Sequence, residues 1–192
     1  MNNRKNRVCP VEISDSLDSK LRRWIQNPRK ILSPYIKKGM TVLDLGCGPG
    51  FFTIDIAKMV GKSGRVIASD LQEGMLQKLR DKIRGTELEE YIILHKSEED
   101  KIAVLGNVDF ILLFYMVHEV PSQEAFFNEL ITILKPNGQV FMIEPPFHVS
   151  KKDFENTIKI ANTAGFKVTG KPKSLFDKSV IFEKDQNGGI SD

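Results

Sequence analysis

Short apolar runs alternate with amphipathic segments along most of the chain. Seven runs have the length and composition typical of strands, and they cover residues 41–45, 65–69, 91–94, 108–115, 139–143, 166–169 and 179–182. Apolar residues at helical spacing predict helices between them, over residues 51–60, 73–84, 122–134 and 150–164. Because strands and helices alternate in this way, we expect an α/β fold with a mostly parallel sheet and helices on both faces.

The two ends of the chain depart from this alternation. Residues 15–26 carry one apolar stripe at helical spacing, and a second short helix is predicted over residues 28–35. The last residues are polar and glycine-rich, which is typical of disorder. We therefore predict a helical extension or lid, a main domain and a disordered tail, over residues 1–36, 37–184 and 185–192 respectively.

The composition excludes several classes of protein. With 192 residues the chain has the length of one domain. Two cysteines, Cys9 and Cys47, are too few for a disulfide framework or a four-cysteine zinc site. No apolar run approaches the ~20 residues that cross a bilayer, and the charged N-terminus lacks the apolar core of a secretory signal. These features predict a cytoplasmic protein without a transmembrane segment.

The net charge of +3 is unevenly distributed. Residues 1–40 hold ten basic and three acidic side chains, or +7, whereas the rest of the chain holds 18 basic and 22 acidic ones, or −4. A basic segment attracts nucleic acid, an anionic membrane surface or an acidic small molecule. An ordinary exposed helix face is the more common reason for such a segment, so the charge alone does not identify a partner.

A glycine-rich turn follows the first predicted strand, and an acid ends the second. The turn reads Asp44-Leu45-Gly46-Cys47-Gly48-Pro49-Gly50, and Asp70 comes 20 residues after Gly50. Glycines let the backbone pass close to a ligand, next to the free N–H groups of the following helix. An acid at the tip of the second strand is the type of residue that accepts both ribose hydroxyls of an adenosine.

The spacing of this turn disfavours a dinucleotide. A dinucleotide fold has G-x-G-x-x-G, but here the third glycine comes one residue early. Asp44 lies just before the turn, where its carboxylate would repel a pyrophosphate but attract an ammonium group. The pattern therefore favours an adenosine joined to an amino acid.

These residues resemble the class I S-adenosylmethionine (SAM) dependent methyltransferases, and most of all the small-molecule group that includes the ubiquinone/menaquinone C-methyltransferases. Residues 42–50 are similar to motif I and Asp70 to the acid of motif II. Ser97-Glu98-Glu99 stands where the family usually has an adenine-binding Asp, residues 114–120 resemble the segment after strand four, and residues 134–138 resemble the turn before strand five. The resemblance implies a Rossmann-like, doubly wound sheet of seven strands, with SAM as cofactor and S-adenosylhomocysteine (SAH) as product.

The resemblance also implies roles for particular residues. It places SAM against the glycine turn, the ribose on the acid of strand two, the adenine beside the residues that follow and Phe114 near the sulfonium. The implied cofactor residues are Asp44, Gly46, Cys47, Gly48, Gly50, Asp70, Leu71, Met75, Ser97, Glu98 and Phe114. For Leu71 and Met75, ordinary core packing is an open alternative.

Candidate acceptor residues follow strands four and five. His118 and Glu119 come after the first of these, and Glu144 and His148 after the second. Our hypothesis is that His118 or Glu119 positions or deprotonates the acceptor. Two alternatives stay open: these groups only fix loops by hydrogen bonds, or they bind a divalent metal as in the catechol methyltransferases.

The acceptor itself is expected to be a small molecule, because no long insertion separates strands four and five. The tentative substrate residues are Cys9, Trp24, Tyr35, Tyr115, Glu144 and His148. Cys9 is either an ordinary buried residue or a thiol that meets a soft substrate. Nucleic-acid or protein methylation through the basic N-terminal segment ranks second, followed by a SAM-binding module without turnover and a dinucleotide oxidoreductase. The sequence predicts no oligomeric state.

Overall fold

Seven strands and five α-helices lie within residues 26–172 and 178–186, which are the residues that the computed structural model describes. The chain divides after Lys96 into two units. The fold within each unit follows from the same alternation of buried strands and amphipathic helices. Residues 15–25 of the first predicted helix and residues 187–192 of the predicted tail lie outside the described residues.

The first unit contains three parallel strands in the order β3-β2-β1. Its elements are α1 (Pro28–Leu32), β1 (Thr41–Leu45), α2 (Thr53–Val60), β2 (Arg65–Asp70), α3 (Glu73–Ile83), a 3-10 turn (Glu87–Glu90) and β3 (Ile92–Lys96). Leu45 pairs with Ser69, so the last residue of β1 lies beside the penultimate residue of β2. The glycine turn and Asp70 therefore leave the sheet at the same edge.

The second unit contains four strands in the order β4-β5-β7-β6. Its elements are β4 (Val108–Phe114), a 3-10 turn (Val117–Glu119), α4 (Gln123–Ile133), β5 (Leu134–Glu144), α5 (Lys151–Thr163), β6 (Phe166–Gly170) and β7 (Lys178–Lys184). β4 and β5 are parallel, whereas β7 is antiparallel to both β5 and β6. The carboxyl ends of β4 and β5 thus lie at one edge, where the 3-10 turn begins.

The predicted α/β class with a mostly parallel, Rossmann-like seven-stranded sheet is confirmed, and each predicted strand is present. The largest difference is at β5, which starts at Leu134 instead of residue 139. Leu134 pairs with Val108, and pairing then resumes between Gln139 and Phe110. The predicted turn over residues 135–138 is therefore an irregularity inside the strand.

Buried apolar side chains explain why the strands could be predicted from the sequence. Five successive residues of β4, from Phe110 to Phe114, are buried, as expected for a central strand covered on both faces. In the second unit Phe127, Phe166 and Phe182 pack in pairs with ring centroids 6.0–6.2 Å apart. None of the described helices has the length and apolar character that would cross a bilayer.

The segment before β1 is short. α1 begins at Pro28, where Asn27 accepts a hydrogen bond from the Lys30 N–H, and it ends at Leu32 rather than near residue 35. Ser33 still has helical backbone angles, but Pro34 has no N–H to continue the hydrogen bonding, so the regular helix ends before it. At the other end of the chain, Asp185 donates its N–H to the Gly165 carbonyl at 2.8 Å.

Candidate functional site

The glycine turn between β1 and α2 folds back against the end of β2. The backbone N–H groups of Gly46 and Cys47 both donate to the Ser69 carbonyl, at 2.8 and 3.0 Å. Gly46, Gly48 and Gly50 all have positive φ angles, of 74°, 54° and 89°. Residues other than glycine rarely have a positive φ angle, so the turn needs glycine at these positions.

Asp70 is joined to this turn through its side chain. Its Oδ2 accepts the Gly48 N–H at 2.9 Å and its Oδ1 accepts the Gln72 N–H at 2.9 Å. Burial raises the pKa of Asp70, and these backbone hydrogen bonds oppose that rise. The carboxylate is thus fixed in place between the ends of β1 and β2.

Asp44 is a second buried acid in the first unit. Its Oδ2 accepts a hydrogen bond from the Thr53 hydroxyl at 2.6 Å. Burial raises the pKa of Asp44 to about 7, with the Thr53 hydrogen bond lowering it and the charge of Asp70 adding to the rise. A cation beside Asp44 would favour its ionised form.

The three glycines have different surroundings. A Cβ added at Gly50 would lie 2.4 Å from Cδ1 of the buried Leu79, so this glycine allows close packing of α3 on the turn. A Cβ at Gly48 would meet no atom within 4 Å, so space is open in front of this residue. Cys47 is buried, and burial raises the pKa of its thiol well above the ordinary value. Cys47 therefore supplies no thiolate, and its backbone N–H is bonded to the Ser69 carbonyl within the turn.

The predicted adenine-binding residues have unequal exposure. Leu71 is 37% exposed, whereas Met75 is 2% exposed on the core side of α3. Ser97 and Glu98 open the second unit; Ser97 is buried and Glu98 is exposed, with its N–H donated to the Lys101 carbonyl at 3.0 Å. The exposure of Leu71 suits ligand contact, while Met75 has the burial of an ordinary core residue.

The structure brings the four acceptor candidates of the second unit together around Glu144. This side chain is 2% exposed, and its Oε1 accepts the N–H groups of Val117 and His118 at 2.9 and 3.3 Å. Its Oε2 lies 2.5 Å from Nδ1 of His118. The other His118 nitrogen, Nε2, lies 4.0 Å from Oε1 of Glu119.

His148 completes this cluster at a longer distance, since its ring centroid lies 6.4 Å from that of His118. The hydrogen bond with Glu144 raises the pKa of His118, burial opposes that rise, and the charges of Glu144 and Glu119 add to it. Among the described residues, no group of three His, Cys, Asp or Glu side chains is arranged to hold a metal ion.

The aromatic candidates lie in different places. Phe114 is buried at the end of β4 and stacks on Tyr115, with ring centroids 4.1 Å apart. Tyr115 has a positive φ of 59°. Strained backbone conformations of this type are frequent at functional sites. Tyr35 is half-buried after α1, in the first unit. Cys9 and Trp24 lie outside the described residues.

Comparison with known proteins shows to which family the chain belongs. A family model described as a methyltransferase domain matches residues 36–179. The chain belongs to this methyltransferase family. The resemblance drawn from the glycine turn and Asp70 is thereby confirmed.

One solved structure is similar to this methyltransferase over nearly its whole length. It is a SAM dependent methyltransferase from Aquifex aeolicus, 30% identical, with a TM-score of 0.82 over 91% of this chain and 98% of that chain. Demethylmenaquinone methyltransferases from Lactobacillus johnsonii and Lactococcus lactis are 33% and 31% identical over 129 and 120 residues. The matched regions span about half the length of these two relatives, 53% and 48%.

The residues of the first unit fit SAM better than they fit a dinucleotide. The open space at Gly48 leaves room for a ligand beside the turn. The two buried acids, Asp44 and Asp70, are a suitable set for an ammonium group and a ribose diol. A pyrophosphate at the same turn would instead be repelled by the carboxylate of Asp44.

Sequence reasoning missed two residues that support these sites. Thr53 lies in the first turn of α2, where its hydroxyl reaches Asp44. Gln123 donates its side-chain amide to the Val117 carbonyl at 3.2 Å and accepts the Thr157 hydroxyl at 3.0 Å. The sequence could have indicated Thr53, since the first turn of a helix after a glycine-rich loop faces that loop. It could not have indicated Gln123, because its two partners lie in the Val117–Glu119 turn and on α5.

Proposed function

We propose that this protein transfers a methyl group from SAM to a small-molecule acceptor. The observation that carries the proposal is the hydrogen bond from the Gly48 N–H to Asp70, which joins the glycine turn to the acid that ends β2. In this proposal Asp70 holds the ribose hydroxyls, Asp44 attracts the ammonium group, and the backbone of Gly46 and Gly48 passes close to the methionine end.

Bound SAM supplies an electrophilic methyl group on a sulfonium. The protein's own contribution is then to bind, to orient and to exclude water, because a correctly aligned nucleophile needs little further activation. The names of the curated relatives make demethylmenaquinone the first acceptor to test. Family membership and the fold support methyl transfer in general, whereas the choice of acceptor rests on those names.

The proposal is tested by incubating the purified chain with SAM labelled in its methyl group and a panel of acceptors. The panel contains reduced demethylmenaquinone, simple phenols, amines, thiols, an RNA mixture and denatured protein. We expect label in a small-molecule product and formation of SAH in equal amount. Transfer confined to RNA or protein would overturn the small-molecule proposal, and binding of SAM without transfer to any acceptor would favour a binding module.

A further inference from the structure

β3 is an edge strand of the first unit. It pairs in parallel with β2 over Ile92–Lys96, and no second described strand lies beside it. The backbone N–H and C=O groups along such an edge can pair with a strand of another molecule. The residues of β3 and of the turn before it indicate which strand would fit.

The centre of β3 lacks the features that usually protect a sheet edge. Native edge strands are often protected by a proline, a bulge or a charged side chain. β3 instead pairs with β2 in unbroken register and begins with Ile92, Ile93 and Leu94. Ile93 is 51% exposed, and Lys96 comes only at the last residue of the strand. The middle of this edge is therefore apolar and regular.

The hydrogen bonding to β2 shows which backbone groups point away from the sheet. The Val66 N–H donates to the Tyr91 carbonyl at 2.8 Å, and Val66 is in register with Ile92. Backbone groups alternate between the two sides of a strand, so those of Tyr91 and Ile93 face β2. Those of Ile92 and Leu94 point outward, where an added strand would meet them.

Opposite charges flank the apolar centre of β3. Glu90 is exposed two residues before the strand, and Lys96 is exposed at its end. The other two acids of the preceding 3-10 turn, Glu87 and Glu89, already have partners within the first unit. The edge is therefore acidic before its apolar centre and basic after it. Such a pattern is complementary to its own reverse, which is the arrangement that a two-fold axis produces.

We propose that β3 pairs antiparallel with β3 of a second copy of this chain, across a two-fold axis at Ile93. In this register Ile92 of each copy lies opposite Leu94 of the other, so that their outward groups can exchange hydrogen bonds. The two Ile93 side chains face each other at the axis. At both ends of the pair, Glu90 of one copy comes next to Lys96 of the other. This interface is independent of methyl transfer.

The neighbouring registers fit less well. If one copy moves by two residues, either Leu94 lies opposite itself and Lys96 opposite Ile92, or Ile92 lies opposite itself and Glu90 opposite Leu94. Both shifts lose the two charge pairs and place a charged side chain beside an apolar one. A shift by one residue would set outward backbone groups against groups that face β2. The register centred on Ile93 therefore satisfies the backbone, the apolar contact and the charges together.

Sedimentation equilibrium of the purified chain, without any ligand, measures whether it dimerises. We expect a reversible dimer and no larger species, since a two-fold interface is closed. Ile93→Lys should weaken the dimer about 10-fold or more, because two lysines would meet at the axis. Leu105→Lys is the matched control, because Leu105 is 95% exposed in the second unit. A chain that stays monomeric, or a dimer that Ile93→Lys does not weaken, would overturn the proposal.

Exchanging the charges tests the antiparallel arrangement. Lys96→Glu and Glu90→Lys should each weaken their own dimers about 10-fold, since like charges then meet at both ends of the pair. A mixture of the two variants should recover the wild-type affinity, because both charge pairs are again opposite in the mixed dimer. Lys58→Glu, at an exposed lysine of α2, controls for the change in net charge. A mixture that associates no better than the separate variants would overturn the proposed pairing.

An engineered disulfide tests the register itself. Ile93→Cys is made in a Cys9→Ser background, where the remaining Cys47 is buried. Facing residues that do not share hydrogen bonds lie about 4.5 Å apart at Cα, within the range of disulfides. Mild oxidation should therefore link two copies of Ile93→Cys, but not two copies of the control Leu105→Cys. An Ile93→Cys variant that associates without becoming linked would overturn this register. These measurements need no activity, so they decide the interface whether or not the proposed function holds.

Discussion

The backbone N–H of Gly48 donates to Oδ2 of Asp70 at 2.9 Å, across 22 residues of sequence. The donor belongs to the turn after β1 and the acceptor is the last residue of β2, two strands that pair in parallel. The turn after β1 and the last residue of β2 are therefore in direct contact. The same hydrogen bond explains why the acid can stay buried beside a second carboxylate, since it favours the ionised form of Asp70.

Gly50→Ala and Gly48→Ala should have different consequences. At Gly50 the added Cβ would lie 2.4 Å from Cδ1 of Leu79, a fully buried side chain that has little room to move. Overpacking and the left-handed backbone together predict a loss of about 2 kcal/mol or more in the free energy of unfolding. At Gly48 the space is open, so only the backbone cost of about 1 kcal/mol is expected.

Urea unfolding of both variants, together with SAH titration, checks this contrast. Gly48→Ala should keep most of its stability but bind SAH weakly, because the new methyl group enters the space assigned to the ligand. Equal loss of stability in the two variants, or normal SAH binding by Gly48→Ala, would show that the two glycines do not have these separate roles.

Asp44→Asn should stabilise the ligand-free protein at neutral and higher pH. Burial raises the pKa of Asp44 from 3.8 to about 7, so its ionised form is disfavoured in the folded chain. Between about pH 4 and 7 the folded state keeps a proton that the unfolded state has lost, and stability falls as the pH rises through this window. Asparagine has the same shape and no charge. Its expected benefit is of the order of 1 kcal/mol or more at pH 8.

Thermal unfolding of both proteins from pH 4 to pH 8 measures this effect. The two should differ least near pH 4, where Asp44 is protonated in the folded state and only about half ionised in the unfolded state, and should diverge as the pH rises. Thr53→Val provides a comparison, since it removes the hydroxyl that favours the ionised form. An Asp44→Asn variant that is less stable than the wild type at pH 8 would contradict this prediction, because ionised Asp44 would then stabilise the folded protein.

The affinity for SAH should rise with pH over the range in which the stability of the ligand-free protein falls. An ammonium group binds the ionised form of Asp44, which has a pKa of about 7 in the free protein. Affinity should therefore fall as the pH drops, by about 10- to 30-fold between pH 7.5 and 5.5. Calorimetry in two buffers of different ionisation enthalpy should also show proton release on binding near pH 6.5. Asp70 and Cys47 are the titratable groups whose charges act on Asp44 or are acted on by it.

In Asp44→Asn the binding of SAH should be weaker at pH 7.5 and nearly constant over this range. The variant thus serves as the control for other groups that titrate in the same window. A wild-type affinity that does not change from pH 7.5 to pH 5.5 would contradict a direct role of Asp44 with the ammonium group.

The sequence predicted those parts of the fold that depend on neighbouring residues. Buried strands such as β4 and amphipathic helices such as α4 and α5 follow from local patterns, and the structure confirms them. The start of β5 was wrong because Leu134 extends the strand only by pairing with Val108. The 3-10 turn Val117–Glu119 was not predicted, since its N–H groups are satisfied by Glu144, 26 and 27 residues away.

The candidate site likewise contains residues that the sequence predicted and contacts that it did not. Asp44 and Asp70 were predicted because each lies at or next to the end of a strand with a clear pattern. For Glu144 the sequence indicated only a position after strand five, and its bond to Nδ1 of His118 depends on how β4 and β5 pair. Met75 was assigned to the adenine only through the family resemblance. Its burial on α3 is equally that of an ordinary core residue.

Binding of SAH to Asp70→Ala tests the central claim most directly. The matched control is Asp81→Ala, the same change at an exposed acid of the first unit. The wild type and Asp81→Ala should bind SAH equally, and Asp70→Ala should bind about 10- to 100-fold more weakly, as expected when a hydrogen bond to a charged group is lost. Wild-type affinity in a folded Asp70→Ala variant would contradict the placement of SAM at the glycine turn.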